Sequence, residues 1–393
     1  MVVTPANERI AFFDVLRGVA LFGILIVNVF SFGADATAWT DPLDRIVWTL
    51  KHTLFESKFW ALYSLLFGMG FYLQSLSPGY TVGRAVRRLL VLMALGCLHG
   101  LLFEGDILML YAELGLLLLV LNRLPNHWLA CVGVVLSLSF PLGHLLADDR
   151  GDEWPPEDRD EASEWLEDDL AHSPLSIGDF ADVLDYHREN IPELFWADWQ
   201  YPDSGLLVLT FFLCGVCFMR VGWSRLQRLS MSSCFRMAAG CWLAGLVLMG
   251  GERYLAATMG YQVFGKSTAS ALWVLFGDMV YLGATLLLTG AWFVSVWCWI
   301  RSDRFIALRT RVASAGRVSL SAYLSQTLIF TTVFYGYGLG KAFQWGPFAV
   351  CCFAVMVYLA QLVICHWWCQ RFRLGPMEWL WRSLTNLRWE SIR

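Results

Sequence analysis

Charge is scarce in this chain. Only 16% of its 393 residues are Asp, Glu, Lys or Arg, while 57% are hydrophobic. That balance excludes a solvated, disordered chain and gives no reason to expect a nucleic-acid partner. No Walker, HExxH or GxSxG sequence occurs, so the local signatures of P-loop, zincin and α/β-hydrolase chemistry are missing. Among the eleven Cys the one CxxC, Cys214 to Cys217, lies inside an apolar block, and no second CxxC accompanies it to complete a metal site. The cysteines lie in apolar stretches, as at Cys97, Cys131, Cys214, Cys217, Cys241, Cys351 and Cys352, and read as small buried hydrophobes, with no metal expected. No internal repeat is visible, which weighs against a secondary transporter. No small-residue cleavage site follows the first apolar run, so that run is expected to stay in place as a span.

What the chain has in quantity is apolar sequence in bilayer-length blocks. Ten such blocks lie near 10–32, 58–76, 86–103, 106–122, 127–146, 204–222, 236–256, 270–299, 318–338 and 347–368. The 20 Trp suit aromatic belts at two membrane interfaces. The expectation is an all-α, polytopic transmembrane bundle whose partner is the lipid bilayer. Arg gathers in alternate connections: at Arg9, at Arg84, Arg87 and Arg88, at Arg123, at Arg220 to Arg236, at Arg301 to Arg317, and after Arg371. The positive-inside rule then sets both termini in the cytoplasm. Three units follow: a five-span part over 1–146, an acidic outer loop over 147–203, and a second five-span part over 204–393. The loop opens Asp148-Asp149-Arg150-Gly151-Asp152-Glu153 and reads as solvated, without a calcium-loop pattern. Its second half, Ser176 to Arg188, has helical periodicity and is placed to cap the outer face.

Ionisable residues inside spans are costly and usually functional. Asp14 and Arg17 share a face of the first span, and Asn28 lies eleven residues after Arg17, about 16 Å along the same stripe. In the third span His99 stands eleven residues after Arg88. A short turn then brings Asp106 to the same rim, followed by Tyr111. A carboxylate that orients an imidazole makes a general base. The plainer alternatives are an interhelical hydrogen bond for His99 and a helix cap for Asp106. Glu56 and Lys58 precede the second span, either as interfacial anchors or as members of the His99 rim. On the opposite side Arg17, Arg84, Arg87 and Arg88 form a basic group suited to phosphate, with ordinary inner-side anchoring as the alternative for Arg84 and Arg87. Ser319, Tyr323 and Gln326 give the ninth span a polar face, and Tyr335-Gly336-Tyr337-Gly338-Leu339-Gly340 reads as a tight turn, since no strand precedes it and no Lys-Ser/Thr follows.

The chain resembles the DUF418 (YeiB-like) family of bacterial membrane proteins nearly end to end. The resemblance rests on Asp14-Val15-Leu16-Arg17-Gly18 with Asn28, Lys58-Phe59 with Leu66-Phe67-Gly68-Met69-Gly70, and Arg87-Arg88-Leu89 with His99. It continues through Gly105-Asp106-Ile107-Leu108, Tyr111-Ala112, Gly316-Arg317, Tyr323, Gln326 and Gly375-Pro376-Met377-Glu378-Trp379. It implies a bacterial inner-membrane location. The family's first span is similar to that of the acyltransferase-3 and heparan glucosaminide acetyltransferase groups. Where acyltransferase-3 proteins have a His, this chain has Asn28, so that His is not carried over and His99 stands as its replacement. The resemblance implies acyl transfer from acyl-CoA to an acceptor in the cell envelope. Asp14, Arg17, Arg84, Arg87 and Arg88 would dock the donor. His99 and Asp106 would be catalytic, and Asn28, Glu56, Lys58, Tyr111, Tyr323 and Gln326 would bind substrate. A proton-coupled permease using the same buried groups is the alternative function, and self-association into a homo-oligomer is compatible with either.

Overall fold

The computed structural model describes residues 6–33, 41–147, 173–200, 202–261, 267, 269–302, 304–342 and 344–393. The described residues contain helices and no strand. In chain order the helices are α1 (Ala6–Gly33), α2 (Pro42–Leu50), α3 (Lys58–Ser75), α4 (Val82–Gly100), α5 (Leu108–Leu121), α6 (Asn126–Ser137), α7 (Ser139–Ala147), α8 (Pro174–Ile177) and α9 (Phe180–Gln200). There follow α10 (Pro202–Cys217), α11 (Trp223–Arg228), α12 (Met231–Met259), α13 (Ala271–Ile300), α14 (Ile306–Arg317), α15 (Ser319–Phe334), α16 (Pro347–Cys369) and α17 (Pro376–Asn386). A π-helical turn at Lys51–Phe55 extends α2, and another at Phe218–Gly222 joins α10 to α11. The acidic run opening the 147–203 connection lies outside the described residues.

Among the described residues six helical segments are long and apolar enough to cross a bilayer: Ala11–Phe32, Asn126–Leu145, Gly205–Arg228, Met231–Met259, Ala271–Ile300 and Pro347–Cys369. This is a multi-pass membrane protein. The other four expected spans are helices too, but shorter or more polar ones. The 14 residues of α5 and the 16 of α15 reach about 21 and 24 Å, short of a ~30 Å hydrocarbon core. The 19 residues of α4 begin with Arg84, Arg87 and Arg88.

The most enclosed segment is the first, 67% buried, whereas α12 is 22% buried and turns Leu243, Val247 and Tyr254 outward. Lipid offers no hydrophobic gain for bringing helices together, so close packing at small residues and interhelical hydrogen bonds must do it. Both are present. A Cβ at Gly316 would stand 1.8 Å from the Asp14 carbonyl oxygen, and one at Gly18 2.2 Å from that of Val312, so α1 and α14 cross backbone to backbone. Gly68 and Gly215 do the same for α3 and α10. Polar bridges add to this, with Asp278 accepting from Tyr261 at 2.8 Å and lying 3.1 Å from His144.

The start of α15 has no cap of its own, and Glu378 of α17 supplies one across the fold. Its carboxylate accepts from the Leu320 and Ser321 amides at 2.7 and 3.2 Å and from the Ser321 hydroxyl at 2.5 Å. Burial pushes the Glu378 carboxyl above the usual carboxylate range, and these hydrogen bonds oppose the rise. At the far end of α15, the glycine-rich segment is the expected tight turn: Gly340 has φ +57° and donates to the Tyr335 carbonyl at 3.1 Å. Gly336 donates to Leu175 at 2.9 Å, and a Cβ there would meet the Ser176 carbonyl at 2.7 Å. The second half of the 147–203 connection therefore docks on this turn.

Candidate functional site

His99 lies in the last turn of α4 and is 4% exposed. The α4–α5 hairpin folds back tightly at Gly96, where a Cβ would stand 2.6 Å from the Met109 amide nitrogen. That approach delivers Asp106 to His99. Asp106 Oδ1 lies 2.7 Å from His99 Nδ1, and Oδ2 accepts from the Met109 amide at 2.8 Å. The two readings of Asp106 are thus compatible, since one carboxylate both caps α5 and orients the imidazole. The other ring nitrogen, Nε2, lies 2.8 Å from the Thr327 hydroxyl of α15. Tyr323 packs its ring 5.0 Å from the imidazole, and Phe103 lies at 5.9 Å.

Above this cluster, Phe32 stacks on Phe103 at 4.4 Å and meets Tyr335 at 5.7 Å, and Tyr335 meets His187 of α9 at 6.3 Å. An aromatic roof therefore closes the His99 end of the bundle. Asn28, half-buried, sits one turn before Phe32 on the same face of α1.

At the other end of α4 the arginines divide. Arg84 donates to the Gly79 carbonyl at 2.9 Å, close to its own helix start. Arg87 donates to the Thr385 carbonyl at 2.8 Å, tying α4 to α17. Arg88 lies over the Trp381 ring at 4.4 Å and bonds Gln74. It also lies in the fields of Arg17 and Arg382. Arg17 pairs with Asp14 at 3.3 Å yet keeps 37% of its side chain exposed, while Leu16 and Ala20 beside it are fully buried. A cation that lies in the field of a second, partly open one makes a receptive place for an anion.

Tyrosines connect the two ends. Tyr63 of α3 lies in the field of Arg17 and donates to Ser319 at 3.4 Å. Its ring is 6.2 Å from that of Tyr111, whose hydroxyl shares a 2.6 Å hydrogen bond with Ser64. Tyr323 in turn lies in the fields of Tyr63, Tyr111 and Asp106.

Three expected members go elsewhere. Gln326 donates to Gln361 at 2.8 Å, and Gln361 donates to the Ala322 carbonyl at 2.9 Å, so this pair ties α15 to α16. Ser319, Tyr323 and Thr327, each four residues after the last, form the polar stripe that meets Tyr63 of α3 and His99 of α4; Gln326 falls on the neighbouring stripe. Lys58, fully buried, donates to the His52 carbonyl at 2.9 Å and lies 5.1 Å from the Tyr281 ring. Glu56 contacts His52 and lies 3.6 Å from Lys51. With Glu252 and Arg253 nearby, these form a separate cluster against α12 and α13. Among the described residues no hydrogen bond or ring contact joins it to His99. Thr327 and Tyr63 are the members of the site that the sequence reading missed. The four-residue spacing of Ser319, Tyr323 and Thr327 was the available signal for the first.

A family model described as "Protein of unknown function (DUF418)" matches residues 225–388. The chain is 29% identical to the uncharacterized protein YxaH of Bacillus subtilis, over 99% of this chain and 97% of that one. It is 30% identical to the uncharacterized protein YeiB of Escherichia coli, over 96% of each. The chain belongs to the DUF418 family. A third relative, an uncharacterized 39.9 kDa protein of Bacillus acidopullulyticus, is 25% identical over 97% of this chain and 95% of that one. No solved structure matches. The family model takes in Thr327 and Glu378, while Arg17, His99 and Asp106 fall in the half that the full-length relatives alone cover.

Proposed function

We propose that this protein is a membrane-embedded acyltransferase of the bacterial inner membrane. In this reading it crosses the bilayer ten times, with both termini in the cytoplasm. It moves an acyl group, such as acetyl, from cytoplasmic acyl-CoA to a hydroxyl or amine acceptor at the outer face. The observation that carries the reading is one column of side chains with an anion-receptive arginine pair at one end and a carboxylate-oriented imidazole at the other. Arg17 and Arg88 hold the donor's phosphates, with Asp14 orienting Arg17 and with Arg84 and Arg87 at the entrance. The acyl arm runs past Tyr63 and Tyr323. Asp106 holds His99 Nδ1–H, which leaves Nε2 to take a proton from an attacking hydroxyl. In this reading Asn28, one turn before Phe32 on α1, donates to the developing oxyanion.

The test is labelled acetyl-CoA supplied to proteoliposomes with envelope material. Wild type is expected to label the acceptor, and His99→Ala to lose about 10²–10⁴-fold in rate. Equal labelling by the two proteins removes His99 from the chemistry. Solute flux that needs no acyl donor favours a permease instead.

A further inference from the structure

Hydroxyls in membrane helices usually satisfy themselves on their own helix, one turn back. The neighbours of Thr327 do this: Ser325 donates to the Ala322 carbonyl at 2.8 Å, and Thr331 and Thr332 donate to the Leu328 carbonyl at 3.3 and 2.6 Å. Thr327 does not. Its hydroxyl, on a residue 3% exposed, points across to α4 and meets His99 Nε2 at 2.8 Å. On the other side of the ring, Asp106 accepts from Nδ1 at 2.7 Å. The order carboxylate, imidazole, hydroxyl, with one partner on each ring nitrogen, is that of an activated nucleophile. It joins α4, the turn before α5, and α15, with 228 residues of sequence between His99 and Thr327. A helix-bridging hydrogen bond would need neither the carboxylate nor the choice of Nε2.

Resting on the acyl-transfer reading, we propose that Thr327 is the acyl carrier and that the reaction passes through an acyl-threonine ester. Thr327 Oγ1 attacks the thioester carbonyl, and its proton passes to His99 Nε2. The new C–O bond forms as the C–S bond breaks, and the coenzyme leaves as its thiol with the proton from His99. The acceptor hydroxyl or amine then attacks the ester carbonyl and gives its proton to His99. The C–Oγ1 bond breaks, and that proton returns to Thr327. Acyl-CoA is the co-reactant, and no oxidant or reductant is needed. Seclusion under Phe103, Phe32 and Tyr335 protects the ester from water between the two half-reactions. The acceptor enters when that roof parts.

The experiment uses full-length protein in proteoliposomes with radiolabelled acetyl-CoA and no acceptor, quenched in acid. One acetyl group is expected on the peptide carrying Thr327, resistant to neutral hydroxylamine and so distinct from a cysteine thioester. Thr327→Ser keeps the label. Thr327→Val, nearly the same shape, and His99→Gln fall at least about a hundredfold. Thermal melts and size-exclusion profiles confirm that the variants fold. Donor-dependent envelope labelling is measured on the same preparations. Wild-type transfer that Thr327→Val matches, or a label on another residue, overturns the carrier role and leaves acyl transfer standing. If wild type shows no self-labelling and no transfer, the carrier role and acyl transfer both fall.

Discussion

His99 has a partner on each ring nitrogen, and the two were unequally legible. Asp106 is seven residues away across a short turn, so local spacing alone brought it to the imidazole. Thr327 arrives from another helix altogether, and no spacing rule links positions 228 residues apart. Lys58 and Gln326 illustrate the reverse. Each is polar, placed in or beside a span, and part of the family pattern, but the helix face on which it sits sends it to a different neighbour. At this scale the carboxylate is the informative substitution. Asp106→Asn keeps the Met109 cap but no longer enforces the Nδ1–H tautomer. Acyl transfer should fall about 10³–10⁴-fold while KM for acyl-CoA changes little. Steady-state kinetics of the purified variant check this, and a wild-type kcat removes Asp106 from the mechanism.

Among the elements, α1 and α14 make the closest crossing at the arginine end. Gly316→Ala puts a methyl group 1.8 Å from the Asp14 carbonyl oxygen, and backbone cannot yield as a flexible side chain would. The expected cost is about 1–3 kcal/mol, read as a lowered melting temperature in detergent; an unchanged melt shows that the helices do not cross as described. Helix α9 makes a different prediction. Its His187 is 1% exposed, and burial pulls the imidazole down to about 4, against an ordinary value near 6.5. A folded-state pKa below the unfolded one means that docking is fully supported above about 6.5 and weakens as pH falls toward 4. Hydrogen exchange over Phe180–Glu189, corrected for intrinsic rate, should lose protection across that window in wild type and lose less in His187→Phe. Protection that ignores pH in wild type contradicts the docking energetics. Helix and turn were both readable here, the first from periodicity and the second from glycine spacing. Their contact was not, because it depends on Gly336 admitting a backbone from the 147–203 connection.

For the whole molecule, counting apolar blocks gives ten, and counting long apolar helices among the described residues gives six. The difference falls on α3, α4, α5 and α15, all of which carry candidate site residues: Tyr63, His99, Tyr111 and Thr327. Helices that bury polar side chains against each other need neither the length nor the hydropathy of lipid-facing ones, so functional elements are the least visible to a hydropathy rule. Topology separates the counts. A fluorescent-protein fusion at the C-terminus should glow, and a periplasmic reporter inserted between Pro78 and Gly79 should be silent, because only passes through α3 and α4 put that loop in the cytoplasm. The opposite pattern at either place rejects ten passes with cytoplasmic termini. The sequence by itself determined the class, the helices and the ionisable residues they carry, because hydropathy, periodicity and close spacing are local quantities. Only tertiary structure decided which face of each helix meets which neighbour. Asp106, His99 and Thr327 came into line, and Lys58 and Gln326 went elsewhere, because glycine-paired crossings and side-chain bridges fix helix rotation, and rotation is a property of the packed bundle.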